Sequence, residues 1–165
     1  MAIFPSSLRL VPFDLENNRD LFLRCYADTW QIAHGSLSGF DEESIYRASL
    51  IRASTSPKAL NGLWEADRLV GLLALDERRG GHQKLLWISF FYIMPELRGQ
   101  GYGRALMGYA EELARELGRN ELQLCTARTN PSLQFYAALD FRVCGTEPGA
   151  TEPLLKLRKP IEISL

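Results

Sequence analysis

The residues best placed to do chemistry lie in Arg98-Gly99-Gln100-Gly101-Tyr102-Gly103-Arg104. Glycines at alternate positions leave backbone N–H groups free to close around an anion, with no Cβ in the way. Apolar residues at Leu106, Tyr109/Ala110, Leu113 and Leu117 predict a helix directly after this turn. Its first turn aims unpaired N–H groups and a positive dipole end at the same spot. Arg98 and Arg104 flank the turn with fixed positive charge. The chemistry on offer is phosphate binding by main-chain donors.

What the turn lacks narrows its occupant. A triphosphate loop of the Gly-x-x-x-x-Gly-Lys-Ser/Thr kind needs a Lys-Ser or Lys-Thr pair, and none follows these glycines. A dinucleotide fingerprint read from Gly99 needs glycine at position 104, which is arginine. Read from Gly101 it needs glycine or alanine at position 106, which is leucine. The pattern that fits is Arg-x-x-Gly-x-Gly, Arg98 to Gly103, after an apolar run that ends at Met94-Pro95.

A second segment, Asn130-Pro131-Ser132 followed by Phe135-Tyr136 and then Phe141, lies downstream, and Val143 and Gly145 continue it. Together the two segments resemble motifs A and B of the GNAT superfamily of N-acetyltransferases. Leu69-Val70-Gly71 is similar to the valine-glycine step usual in that superfamily. The similarity covers roughly residues 60 to 145. One position departs: Asp140 stands where the superfamily usually has glycine before the aromatic of motif B. A left-handed backbone is expected there, which aspartate tolerates better than most residues.

The resemblance implies acetyl-CoA as co-substrate and a small-molecule or peptide amine as acceptor. The amine attacks the thioester directly in a ternary complex. The pantetheine arm is expected along the backbone of Phe91, Tyr92 and Ile93. The pyrophosphate is expected against the main-chain N–H groups of Arg98, Gly99, Gln100, Gly101, Tyr102, Gly103 and Arg104, so the side chains of Gln100 and Tyr102 matter little. Asn130 is expected to cap the helix that follows it and, as in many relatives, to touch the cofactor. Tyr136, six residues after Asn130, is similar in place to the superfamily's proton donor for the departing thiolate. A backbone N–H near Ile93 is the expected oxyanion donor. The alternative reading is a non-catalytic acyl-CoA sensor or regulator with the same fold.

No general base stands out. An amine with a pKa near that of lysine, about 10.4, must lose a proton before it attacks. Many relatives carry a glutamate on the central strand. Here residues 85–94 offer only Ser89 as a polar side chain besides Trp87 and Tyr92. Glu77 and Asp76 at the preceding strand end, or a water relay, are the candidates. Asp28, Trp30 and His34 fall near a loop that shapes the acceptor site in relatives. With two histidines, His34 and His82, and no Cys/His/carboxylate spacing, no metal is expected. The absence of a Gly-x-Ser-x-Gly elbow argues against covalent catalysis through serine.

Several elements must position these residues. Leu8 to Val11 reads as a strand ended by Pro12, and residues 18–30 carry a helical period. Asp41 reads as an N-cap, with Phe40 and Ile45 placed as a staple. Leu60 to Glu65 and Leu69 to Leu75 form a hairpin around Ala66-Asp67-Arg68, and a polar loop with Gly80-Gly81 follows. Leu85 to Met94 is apolar almost throughout, as expected of a central strand covered on both faces. Gly118 closes the helix after the glycine turn, and Leu122 to Ala127 returns as a strand. Pro131 opens a short helix, and Phe141 to Cys144 and Leu154 to Leu157 close the chain as strands. The expected fold is α/β, a single domain over residues 1–165. Its order is β-α-α-β-β-β-α-β-α-β-β, a mixed sheet with helices on both faces and a parallel crossover from 85 to 127.

Composition sets outer limits. A chain of 165 residues can bury a self-sufficient core, and 46% apolar with 24% charged residues argues against disorder. A net charge of −1 gives no global attraction to nucleic acid or to an anionic membrane, so neither is expected as a partner. It also disfavours an obligately acidic or basic polymer as acceptor. Amino acid, polyamine, aminoglycoside, peptide N-terminus and lysine side chain stay open. Three cysteines, Cys25, Cys125 and Cys144, without a Cys-x-x-Cys pair point to reduced thiols and a cytoplasmic location. The start Met1-Ala2-Ile3-Phe4-Pro5 is unlike a signal peptide. A homodimer, frequent in the superfamily, is left open.

Overall fold

The computed structural model describes residues 7–79, 84–149 and 152–163. In chain order they form β1 (Leu8–Pro12), α1 (Arg19–His34), α2 (Glu42–Ala53), β2 (Leu60–Glu65), β3 (Arg68–Asp76), β4 (Leu85–Ile93), α3 (Tyr102–Glu116), β5 (Glu121–Thr126), α4 (Leu133–Ala138), β6 (Arg142–Glu147) and β7 (Leu154–Pro160). That is the order expected from periodicity. His82 and the Gly80-Gly81 loop lie outside the described residues.

The strands make one seven-stranded sheet in the order β1-β2-β3-β4-β5-β7-β6. β4 is central, and its apolar run is buried from both sides. On one face α1, with Phe22, Leu23 and Cys25, packs on Leu60, Leu72 and Phe90. On the other face Leu106, Met107, Ala110 and Ala114 of α3 pack on Val70, Leu73, Leu86, Ile88 and Leu122. Each fully buried leucine contributes about 1.5–3 kcal/mol over an exposed one, so the sheet centre is the rigid part of the molecule.

Local deviations from the expected elements have local causes. α1 continues a turn past Trp30 to His34, where Gly35 in the left-handed region ends it and donates its N–H to the Gln31 carbonyl. The hairpin turn is shorter than expected: Arg68 already pairs with Glu65, and Ala66 takes the positive φ, at 52°. Asp41 does cap α2, accepting the Ser44 N–H at 3.3 Å. α2 buries no residue fully and therefore leans on its cap and its apolar edge (Ile45, Tyr46, Leu50). α4 starts at Leu133, so Pro131 sits in the turn before the helix rather than at its first position.

Asp140 has φ 68° at the end of α4, the left-handed backbone expected for that position. Its N–H donates to the Ala137 carbonyl at 3.1 Å and closes the turn into β6. Asp140→Gly should therefore raise stability by about 0.5–1 kcal/mol, read as a shift in the urea midpoint.

Two features of β4 prepare a site. Its parallel pairing with β5 covers only Leu85–Trp87 against Glu121–Gln123, after which β5 continues on β7 alone. β4 and β5 then part, and the sheet opens between them. In addition, the β3–β4 register slips between Phe90↔Ala74 and Ile88↔Leu75, leaving Ser89 as a bulge. A bulge bends its strand and increases local twist, which helps β4 lean away from β5.

Candidate active site

Where β4 and β5 part, a cleft of about 660 Å³ opens, and it extends to the glycine turn. Its walls come from β4, β5, the turn, α4 and the end of α1. The register of β4 decides which backbone groups face it. The Met94 N–H donates to the Val70 carbonyl at 2.9 Å, and Ile93 and Tyr92 oppose Gly71 and Leu72. Hydrogen-bonded pairs alternate along an antiparallel ladder, so Tyr92 bonds to β3 while Phe91 and Ile93 turn their N–H and C=O groups to the open edge. Of the backbone stretch singled out in the sequence, Phe91 and Ile93 thus face the cleft by backbone. Tyr92 does not; it contributes its side chain instead.

The glycine turn starts after a 3₁₀ turn at Pro95–Leu97. Gly99 and Gly101 have φ of 76° and 91°, a conformation that costs an ordinary residue about 1–2 kcal/mol. Gly103 is needed for space: a Cβ there would stand 3.1 Å from the Phe135 ring. Gly101 is the residue before α3, and the Ala105 N–H is the one that reaches back to the Gly101 carbonyl at 3.2 Å. Helix geometry therefore leaves the preceding N–H groups free for a ligand. Gly99, Gly101, Gly103, Arg98 and Arg104 all line the cleft.

Two residues of the same stretch turn their side chains elsewhere. Gln100 donates to the Glu96 carbonyl at 3.3 Å, and the Tyr102 hydroxyl bonds both oxygens of Glu65, at 2.9 and 3.1 Å. Tyr102 with Arg68 holds the Glu65 carboxyl below its ordinary pKa and pins the start of α3 to the β2–β3 hairpin.

Tyr136 stands on the opposite wall. It is 7% exposed, boxed edge-on by Phe91, Phe135 and Phe141 at centroid distances of 6.2, 5.4 and 5.7 Å. Burial alone pushes its phenol pKa up, so it enters any reaction protonated. Asn130 bridges β5 to α4: its Nδ2 donates to Thr126 Oγ1 at 2.7 Å, and its Oδ1 accepts the Ser132 N–H at 2.8 Å. It caps the turn that leads into α4, and both side-chain groups are used in doing so.

Tyr92 also has a raised phenol pKa, through burial and then through its bond to Asp28. A buried tyrosine that holds its proton more tightly than in the unfolded chain stabilises the fold fully below the unfolded value near 10. That stability is lost as pH rises above it. The Cys25 and Cys125 thiols, both pushed up to about 11 by burial, act with the same sign from a lower unfolded value, so the urea midpoint should begin to fall near about pH 9 and fall more steeply above about pH 10.

The acid–base candidates disperse. Glu77 pairs with Arg119 at 4.0 Å, and Asp76 accepts the N–H groups of Arg78 and Arg79. Neither lines the cleft, whereas Ser89 does. His34 lies against Trp30, with centroids 4.5 Å apart and ring planes tilted by 59°, and is likewise outside the lining. Sequence reasoning missed Thr29, Ile32 and Ala33, which carry the α1 wall, together with Thr126, Phe135 and Leu154. Only Phe135 had a signal, as the first aromatic of the Phe-Tyr pair.

Comparison with known proteins agrees with this geometry. The model of the acetyltransferase (GNAT) family matches residues 15–141. The chain belongs to the GNAT acetyltransferase family. Among relatives of this GNAT chain, a streptothricin acetyltransferase from Streptomyces lavendulae is 36% identical over 63 residues, 38% of this chain and 33% of that protein. An uncharacterised N-acetyltransferase from Archaeoglobus fulgidus is 41% identical over 56 residues, 33% of this chain and 38% of that protein. The chain thus matches about a third of the length of one relative and 38% of the other. The solved PaiA N-acetyltransferase from Thermoplasma acidophilum, in complex with coenzyme A, shares the GNAT fold with a TM-score of 0.68 and 18% identity. That match covers 93% of this chain and 99% of that one.

Proposed function

We propose that this protein is a single-domain N-acetyltransferase that moves an acetyl group from acetyl-CoA to an amine by direct attack in a ternary complex. The observation that carries the reading is the open edge of β4 running into the glycine turn. A pantetheine arm laid along that edge would find the backbone groups of Phe91 and Ile93, as an added strand would. Its pyrophosphate would then meet the N–H groups of Gly99 to Arg104 at the start of α3; the Arg98 N–H, also expected there from the sequence, donates instead to the Pro95 carbonyl at 3.3 Å. The solved relative bound to coenzyme A supports the choice of ligand.

The residues then take the following roles. The Ile93 N–H faces the cleft and donates to the oxygen on which charge develops during attack. Tyr136 supplies a proton to the departing thiolate; its buried phenol is a weak acid, yet it excludes water from the sulfur. Asn130 fixes the β5–α4 corner that carries Tyr136, and Arg104 adds positive charge beside the phosphates. The free thiols of Cys25, Cys125 and Cys144 fit a cytoplasmic protein, and no helix among the described residues is long and apolar enough to cross a membrane. The acceptor is an amine admitted between α1 and β7, where Ile32, Ala33 and Leu154 line the cleft.

The test is a thiol-release assay with acetyl-CoA against a panel of amines: amino acids, polyamines, aminoglycosides and peptides with free N-termini. At least one amine should release free CoA in step with acetylated product. If acetyl-CoA binds but no amine on the panel is acetylated, transfer is contradicted and binding alone remains.

A further inference from the structure

Asp28 joins three elements at one carboxylate oxygen. The Tyr92 hydroxyl donates to Asp28 Oδ2 at 2.8 Å, and Arg98 Nη2 donates to the same oxygen at 3.0 Å. Arg98 Nε in turn donates to the Ile93 carbonyl at 2.9 Å, and its guanidinium lies 5.1 Å from the centre of the Tyr92 ring. The arginine that opens the glycine turn is therefore folded back along the strand it follows. It is not extended over the turn. One residue pair further down, Cys25 Sγ of α1 lies 3.9 Å from Met94 Sδ. The next residues of α1 after Asp28, Thr29, Ile32 and Ala33, form the cleft wall.

Stability is a poor explanation for the Arg98–Asp28 pair within this arrangement. The side chains of Arg98 and Asp28 are 42% and 38% exposed, and ion pairs so solvated stabilise a fold only weakly. Its geometry is more informative than its strength. Arg98 bonds Ile93, whose backbone lies on the donor side of the cleft, and Asp28, which begins the acceptor wall. Two sites joined by such a chain share any ordering that a ligand imposes on either one.

We propose that Asp28 is a positioning residue: through Arg98 and Tyr92 it ties the acceptor wall of α1 to the glycine turn, so that donor binding orders the acceptor side. This rests on the reading of the turn as the acetyl-CoA site. A donor phosphate held by the N–H groups of Gly99 to Arg104 restrains the turn that starts at Arg98, whose own N–H is held by the Pro95 carbonyl at 3.3 Å. The guanidinium passes that restraint to Asp28 and so to residues 29–34. Acetyl-CoA then binds first, and the acceptor meets a wall already set.

The experiment is amide hydrogen exchange on the full chain with acetyl-CoA as the only ligand, in the wild type, Asp28→Ala, Asp28→Asn and Tyr92→Phe. Alanine is the best helix former and the Asp28 side chain is partly exposed, so Asp28→Ala should fold, and Asp28→Asn keeps an acceptor for the Tyr92 hydroxyl. Saturating acetyl-CoA should slow exchange of the 29–34 amides in the wild type on the order of tenfold. Asp28→Ala should lose that slowing while the affinity for acetyl-CoA changes less than about threefold, since Asp28 touches no part of the turn's backbone. Asp28→Asn and Tyr92→Phe should each lose part of it. A merely structural role would speed exchange equally with and without ligand, and that result overturns the proposal. Slowing retained in Asp28→Ala, or absent from a wild type that binds acetyl-CoA, overturns it too. No binding of acetyl-CoA to the wild type at all would instead refute the donor site, and the coupling with it.

Discussion

Tyr136→Phe should lower kcat by about 100-fold while leaving the affinity for acetyl-CoA within a few-fold. The change removes one oxygen and keeps the ring, so the packing against Phe91, Phe135 and Phe141 survives. What goes is the proton source nearest the sulfur. Water can replace it only by entering a wall that the wild type keeps dry, and general acid catalysis is typically worth 10²–10⁴-fold. The loss should therefore sit in kcat and not in KM for acetyl-CoA. Steady-state kinetics with the best amine from the panel checks this. A kcat within about threefold of wild type would remove Tyr136 from the chemistry and leave it as a core aromatic.

Gly101→Val should cost acetyl-CoA at least about 100-fold in affinity, through a different mechanism. With φ at 91°, residue 101 cannot keep its backbone once it carries a β-branched side chain. The turn must rotate, and the N–H groups that follow it then point away from the phosphate position. Charge-assisted hydrogen bonds are worth about 1.5–3 kcal/mol each, so misplacing two suffices for the predicted loss. The fold should survive, because residue 101 is exposed and the buried residues of α3 begin only at Leu106. Calorimetry of acetyl-CoA binding, beside a thermal melt within a few degrees of wild type, tests both halves of the claim.

Much of this molecule was readable because its signals are local. Glycine is demanded by dihedral angle at 99 and 101 and favoured at 103 by the close Phe135 ring, and such local constraints leave marks in a sequence. The left-handed turn at Asp140 was readable only through the resemblance, because the superfamily usually has glycine there. Element order followed from periodicity, since β4 is buried on both faces and α3 on one stripe. What could not be read depends on pairing at a distance. Nothing local says that β5 leaves β4 after Gln123, which is what creates the cleft. Nothing local shows that Tyr92 bonds to β3 by backbone while Phe91 and Ile93 face the gap, because ladder parity is set by the neighbouring strand. Arg98 looked like a phosphate-side charge, and only its contacts with Asp28, 70 positions away, show where its guanidinium goes. The α1 wall of Thr29, Ile32 and Ala33 was invisible for a plainer reason: these are ordinary helix residues with no chemical signature of their own.

The proposed acetyl-CoA site spans the parted strands and the glycine turn. Isothermal titration of acetyl-CoA into the wild-type protein tests it most directly. One molecule should bind per chain with micromolar affinity, and desulfo-CoA, which lacks only the thiol, should compete nearly as well because backbone and phosphate contacts dominate. Absence of binding heat and of any thermal shift at millimolar acetyl-CoA would contradict the account.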